Sequence, residues 1–240
     1  MTYNADKLGL VVIIPALNEQ ATIGTTLQSL QPQREHLEKI VVADGGSTDE
    51  TPKIARQFGA TVVRTAAVGR GNQVAEVLRG CSADVVLVLH ADMCVPADTL
   101  ARLHQQLDAL PDCPGGCLGH RFDRAGRLLR LTQWWDRIRA RRGMAYGDQA
   151  QFFRRALLET VGGFPDQPIM EDVELSRRLT RLGRTLYLDT PVVVSARRFE
   201  RLGWPRTLLA NLRIRLAYRM FGLSACEALY RRYYHGSKGR

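Results

Sequence analysis

The first half of the chain alternates short apolar runs with stretches of helical period. Leu10-Val11-Val12-Ile13-Ile14, Ile40-Val41-Val42-Ala43, Thr61-Val62-Val63 and Val85-Val86-Leu87-Val88-Leu89 are uninterrupted and rich in β-branched residues. Such runs are what strands buried on both faces of a parallel sheet look like. Between them, Ile23, Leu27 and Leu30 recur at helical spacing, and residues 51–58 read as a helix with Thr48 or Asp49 as N-cap. Gly69-Arg70-Gly71 opens a further helix that runs to about Arg79. Strand and helix in strict alternation predict an α/β fold with a doubly wound, mainly parallel sheet flanked by helices.

The second half is less regular. A helix through Leu100, Leu103, Leu107 and Leu110 follows Pro96, and residues 115–122 form a glycine-rich strand. Residues 128–142 have helical period, with Leu128, Leu131, Trp135 and Ile138 on one side and arginines elsewhere. Trp134 and Trp135 read as core or interface residues rather than a sugar-stacking platform. Residues 147–153 predict a turn and a strand. A helix over 155–161 ends at Gly162-Gly163, a C-terminal stop. Glu171-Asp172-Val173-Glu174-Leu175 starts another helix, its acids in the first turn where the macrodipole favours them. Residues 186–188 and 192–194 are two late strands. Trp204, Leu208, Leu212, Leu216 and Met220, interleaved with Arg206, Arg213, Arg215 and Arg219, predict an amphipathic basic helical tail over 204–240. The body over 1–203 then divides into a nucleotide-binding half, about 8–112, and an acceptor or catalytic half, about 113–203.

Charge sharpens this picture because it is unevenly placed. Of a net +10, residues 197–240 carry eleven Arg or Lys against two acids, and residues 121–142 carry eight Arg against two Asp. The remainder is mildly acidic. A uniformly basic chain would suggest nucleic acid; two arginine patches on an acidic body suit an anionic substrate or a membrane surface, and no nucleic-acid partner is expected. The tail either packs on the domain or rests on the inner face of the membrane. No run approaches the roughly 18 apolar residues of a membrane span, and Asp6 and Lys7 precede a short apolar run without a signal-peptide layout, so the expectation is a cytoplasmic protein, peripheral at the inner membrane face if the tail binds there. Oligomeric state is not readable. Cys81, Cys94, Cys113, Cys117 and Cys226 are irregularly spaced. Cys113 and Cys117 flank Pro-Gly-Gly, but no second Cys/His pair at zinc spacing accompanies them; free thiols are expected.

The chemistry gathers at strand ends. Pro15-Ala16-Leu17-Asn18-Glu19, Asp44-Gly45-Gly46-Ser47-Thr48-Asp49 and His90-Ala91-Asp92 each follow a buried run. In open α/β sheets ligands bind outside the carboxyl ends of the strands. Taken alone, Asp92 could be a surface residue opening a loop. Carboxylates converging on one crevice can hold Mg2+ or Mn2+ bridged by phosphates, or accept hydrogen bonds from a base or ribose; both uses point to a nucleotide. No Gly-x-Gly-x-x-Gly follows the first strand and no Walker loop is present, which disfavours a dinucleotide dehydrogenase and excludes a P-loop ATPase.

These motifs, with Glu171-Asp172, resemble in identity and order those of glycosyltransferase family 2, the inverting enzymes of GT-A fold, over roughly residues 10–198. Gly69-Arg70-Gly71-Asn72-Gln73, Tyr146-Gly147-Asp148-Gln149 and Met170-Glu171-Asp172-Val173-Glu174-Leu175 further resemble a short subgroup associated with arsenosugar biosynthesis. The resemblance implies a nucleotide-sugar donor, a hydroxyl acceptor and a divalent metal, Mn2+ or Mg2+. By the same resemblance, Pro15, Asn18, Glu19, Asp44, Gly46, Arg70 and Ala91 would line the nucleotide pocket and Asp92 would hold the metal. Asp172, with Glu171 beside it, would be the catalytic base, Arg197 and Arg198 would meet the diphosphate, and Asp148 and Gln149 would lie on the acceptor side. His90 stands where the family has the first Asp of Asp-x-Asp; imidazole can ligate Mn2+ but suits Mg2+ poorly. Two other readings share these features: a sugar-phosphate nucleotidyltransferase, which would want a Gly-rich loop after the first strand, and a non-catalytic anionic-surface-binding module on a transferase-like fold.

Overall fold

A computed structural model describes residues 8–66, 69–196, 199 and 202–234. It comprises two compact units, Met1–Val194 and Ser195–Arg240.

The first unit is built on one eight-stranded sheet: β1 (Leu10–Ala16), β2 (Lys39–Asp44), β3 (Thr61–Arg64), β4 (Val85–Val88), β5 (Met93–Cys94), β6 (Gly115–Phe122), β7 (Gln151–Arg154) and β8 (Leu186–Val194). Their spatial order is β3-β2-β1-β4-β7-β6-β8-β5. The four strands read from the apolar runs form the parallel half, with β1 between β2 and β4. Beyond β4, β7 runs antiparallel to both β4 and β6, whereas β6 and β8 are parallel. Helices α1 (Ile23–Leu30), α2 (Thr51–Gln57), α3 (Arg70–Arg79), α4 (Thr99–Ala109), α5 (Arg127–Arg141), α6 (Arg155–Glu159) and α7 (Glu171–Leu182) connect the strands, with short 3-10 turns at Gln31–His36 and Gly147–Gln149.

Burial explains why the apolar runs lack alternation. Val11, Ile13, Val41, Ala43, Val86 and Phe153 pack under Val74, Val77 and Leu78 of α3, Leu158 of α6, and Leu175 and Leu179 of α7. Successive strand residues point to opposite faces, and Val12, Ile14, Ile40, Val42 and Leu87 are just as buried. Both faces of the parallel half are therefore covered. α3 meets the start of α7 so closely that a Cβ on Gly71 would lie 2.2 Å from the Gln167 carbonyl oxygen and 2.6 Å from Glu171 Cβ. That contact requires glycine and presses Arg70 against Glu171.

Several elements differ from the sequence reading. β1 runs through Pro15 to Ala16, because its ladder with β4 already ends at Ile13↔Val88 and Pro15 lies beyond it, paired only with Ala43 of β2. The two late strands are one, β8, with a register irregularity opposite Leu118 and His120. α5 is turned the other way from an ordinary amphipathic helix: Leu128, Leu131, Trp134 and Trp135 are exposed, while Asp136 and Ala140 are buried. All five cysteines are free thiols, and burial pushes Cys117 up to about 12.

In the second unit, α8 (Trp204–Phe221) and α9 (Leu223–Tyr234) pack on one another across Gly222. α8 is basic but not divided into two faces. A repeat of four drifts around a helix of about 100° per residue, so Arg215 and Arg219 fall in the arc between Trp204 and Leu212. Among the described residues no helix is long and apolar enough to cross a membrane.

Candidate active site

Because β2, β1 and β4 are adjacent and parallel, the segments after Ala16, Asp44 and Val88 leave the same edge of the sheet. The first two are laced together. The Asn18 amide donates to Ser47 Oγ at 2.9 Å, and the Thr48 amide donates to Asn18 Oδ1 at 2.8 Å. The Glu19 amide reaches Thr51 Oγ1 at 2.8 Å, and Asp44 Oδ1 accepts from the Ser47 amide at 3.0 Å. Asn18 adopts a left-handed backbone, φ 56°, which asparagine tolerates better than most residues. The N-cap of α2 is Glu50 rather than Thr48 or Asp49; Asp49, one residue earlier, accepts from the Thr51 amide at 2.9 Å.

Each candidate nucleotide residue has a defined position. Pro15 and Asp44 are buried at the strand ends, Asn18 is exposed and Glu19 half-buried in the loop. Gly46 turns the β2 loop with φ 93°. Ala91 is buried, and its carbonyl accepts from Thr26 Oγ1 at 2.8 Å. Gln73, on α3, spans the gap between β1 and β2, donating to the carbonyls of Ala16 at 3.2 Å and Ala43 at 3.4 Å.

The second cluster faces this edge from α3, α7 and the Gly147–Gln149 turn. Arg70 is its hub: Nε lies 3.2 Å from Glu171 Oε1, and Nη1 lies 3.4 Å from His90 Nε2. A guanidinium only donates, so this contact requires His90 neutral with its lone pair on Nε2. Glu171 is buried; burial, opposed by Arg70 and reinforced by the neighbouring Asp172 charge, pushes its carboxyl up to about 7. Asp172 is half-buried. Its Oδ2 accepts from the Gly147 amide at 2.7 Å and its Oδ1 from the Val173 amide at 2.8 Å. Met170, just before the pair, is held at φ 60°, a conformation that costs a non-glycine residue about 1–2 kcal/mol. That strain sets the direction in which α7 presents both acids.

Gly147 joins the two halves. A Cβ there would lie 2.7 Å from His90 Cε1 and 3.4 Å from Asp172 Oδ2, so the turn backbone fits between imidazole and carboxylate. Its role was not legible in the sequence, since the working group is an amide. Asp148 is half-buried beside it. Gln149 is fully buried, its Oε1 accepting from Arg139 Nη2 at 3.1 Å and the Tyr146 amide at 3.3 Å; it shapes the turn from inside rather than presenting a side chain at the surface. Arg197 and Arg198 lie outside the described residues.

The sequence model of Glycosyl transferase family 2 matches residues 11–156, which include the three strand-end loops. The chain belongs to that family. Among curated relatives, this family 2 chain is 48% identical over 62 residues to 4,4'-diaponeurosporenoate glycosyltransferase of Staphylococcus aureus, a stretch covering 26% of the chain and 16% of the relative. The match thus spans only a small part of that protein's length. Among solved structures it resembles a mannosyltransferase from Pyrobaculum calidifontis in complex with GDP-Man and Mn2+, with TM-score 0.64, 24% identity, and coverage of 89% of this chain and 62% of the other. Glucosyl-3-phosphoglycerate synthase from Mycobacterium tuberculosis, in complex with Mn2+, UDP and glucosyl-3-phosphoglycerate, gives TM-score 0.62 at 23% identity, covering 85% and 78%. At these identities the structural likeness establishes the fold, a GT-A type sheet with flanking helices, and the family 2 chain carries it with a C-terminal helical unit.

Proposed function

We propose that the chain is an inverting glycosyltransferase that moves a sugar from a nucleotide-diphosphate donor to an acceptor hydroxyl. The observation that carries this reading is Asp172, held by the Gly147 amide beside His90 and Arg70 at the same edge as the β1, β2 and β4 loops.

In this reading Asn18, Glu19, Asp44 and Gly46 line the base and ribose side of the donor, with Pro15 and Ala91 as its floor. The acceptor oxygen attacks the anomeric carbon, the bond to the diphosphate oxygen breaks with its electron pair leaving on the nucleotide, and Asp172 takes the hydroxyl proton. Arg70 places positive charge where the diphosphate departs. Glu171 anchors Arg70 from below. Asp148 borders the acceptor.

Mn2+ and Mg2+ are commonly held by one or two carboxylates together with substrate phosphates, and Asp92, at the loop after β4, fits that pattern. It would hold the ion, which would supply charge to the donor diphosphate. His90 serves by orienting Arg70, since its Nε2 is already engaged there. Within the family we place the chain in the short subgroup associated with arsenosugar biosynthesis, on the motifs at Arg70, Tyr146–Gln149 and Met170–Leu175. The protein acts in the cytoplasm, and its basic helical unit, with Leu209, Leu212, Leu216 and Met220 exposed among arginines, touches the anionic inner face of the membrane.

A thermal-shift screen of nucleotide-sugars with Mn2+ or Mg2+ tests the donor class directly, because a ligand at one hundred times its Kd stabilises by about 2.7 kcal/mol. Stabilisation by a nucleotide-sugar and metal together, followed by acceptor-dependent release of the nucleoside diphosphate, is the expected result. Pyrophosphate release from a nucleoside triphosphate and a sugar phosphate would instead make the chain a nucleotidyltransferase.

A further inference from the structure

A second group of metal-ligating side chains, which does not include Asp92, involves the Gly147–Gln149 turn. His120 on β6, Asp136 on α5 and Asp148 in the turn each offer one ligand atom, and these atoms all lie within 4.8 Å of one another. His120 Nε2 is 3.6 Å from Asp136 Oδ2 and 3.9 Å from Asp148 Oδ2. The His120 side chain is 1% exposed, and its Nε2 has no hydrogen-bond partner among the described residues. Both separations are too long for hydrogen bonds. They are close to the spacing of about 3.4–3.7 Å between two ligands that each stand about 2.1 Å from one metal ion at tetrahedral to trigonal angles. A buried imidazole nitrogen aimed between two carboxylate oxygens, bonded to neither, is arranged as a ligand set.

The surroundings account for the charge. Asp136 is turned inward on a helix whose Leu and Trp residues face outward, an orientation that burial alone opposes. Its Oδ1 is taken by Arg139 Nη1, which leaves Oδ2 toward His120. Arg139 is itself fixed over the Tyr146 ring, 3.6 Å from its centroid, and by the Met144 carbonyl and Gln149 Oε1. The Asp136 carboxylate faces the Arg139 guanidinium on one side and His120 on the other, with the Asp148 carboxylate across from it. The Asp148 side chain, 42% exposed, is the route by which an ion enters and the side on which water completes its coordination.

We propose that His120, Asp136 and Asp148 bind a divalent transition-metal ion, Mn2+ or Zn2+, through a ligand set distinct from Asp92. Imidazole with two carboxylates suits these ions better than Mg2+. The ion ties β6, α5 and the turn together, and so fixes the Gly147 amide that holds Asp172. The site is defined by binding to the nucleotide-free protein, so it stands or falls independently of the proposed transfer reaction.

The test is Mn2+ binding to the full chain without nucleotide, read by the loss of the free-ion EPR signal, and Zn2+ binding read by competition with a chromophoric chelator. Wild type and Asp92→Ala should each hold the ion here, whereas Asp148→Asn and His120→Gln should weaken it at least about tenfold, or bind one equivalent fewer. Asp148 is the decisive position because its side chain is the most exposed of the three, and thermal melting checks that both variants fold. Equal stoichiometry and affinity in wild type and Asp148→Asn overturn the proposal. So does the absence of Mn2+ and Zn2+ binding in folded wild type.

Discussion

The buried Glu171 makes stability depend on pH in a way that one substitution isolates. Its carboxyl is pushed from an ordinary 4.5 up to about 7 by burial, against the pull of Arg70 and with the added repulsion of Asp172. A group that binds its proton more tightly folded than unfolded stabilises the fold below its unfolded value. That contribution is lost as pH rises through the window from about 4.5 to about 7, and is gone above it. Each tenfold change in proton affinity is worth about 1.4 kcal/mol, so the contribution is about 3–4 kcal/mol, the pull of Arg70 being already contained in the value of about 7. Glu171→Gln keeps the shape and leaves an amide oxygen for Arg70 Nε, but has nothing to titrate. Melting temperatures of wild type and variant at pH 5 and pH 8 form the assay. At pH 5 the two differ by a baseline that includes any loss of the Arg70 pair. Between pH 5 and pH 8 wild type should lose several degrees more than the variant, since 1 kcal/mol corresponds to about 2–4 °C for a chain of this size. Titrating groups away from Glu171 cancel in the comparison. Parallel pH profiles would show that Glu171 is already ionised at pH 5, and the reasoning from burial would be refuted.

The remaining predictions concern the site. Asp172→Asn should lower turnover by about 10²–10⁴-fold, the usual share of a positioned general base, with donor affinity by calorimetry nearly unchanged; wild-type turnover would remove Asp172 from that role. Gly147→Ala puts a Cβ 2.7 Å from His90 Cε1, and the resulting shift of turn or imidazole should cost about 1–3 kcal/mol of stability and about 100-fold in activity; an unaltered rate would mean that the turn is not coupled to the reaction. Asp92→Ala should abolish the response of turnover to added Mg2+, and a variant still activated by Mg2+ counts against Asp92 as its holder. Truncation before Trp204 should stop the protein floating with anionic vesicles; equal flotation of the two forms would place membrane contact elsewhere or nowhere.

How much of this was legible in the sequence depends on what kind of group does the work. The runs at Leu10, Ile40 and Val85 announced β1, β2 and β4 because a strand covered on both faces has no polar alternation to confuse with a helix. The acids beyond them then had to share an edge, since neighbouring parallel strands end on the same side. β5 has two residues and no period to detect, and Asp189, Thr190 and Pro191 made β8 look like two strands although its pairing with β6 continues past them. In α5 the helical period correctly grouped Leu128, Leu131 and Trp135. But period tells which residues share a face and not which face turns inward, and here Asp136 turns inward. The polar group it turns toward is His120, which is sixteen residues earlier in sequence and becomes a neighbour only when β6 joins the sheet. The same limit applies at the proposed base. Asp172 could be picked out as a carboxylate at a helix start, yet what distinguishes it from the many acids found there is an amide from Gly147, 25 residues away. A backbone N–H is present at almost every position and therefore marks none. The side chains that supply charge were readable one by one; the backbone that aims them follows only from the packing of α3 on α7, where Gly71 admits nothing larger and Arg70 is thereby committed to Glu171 and His90.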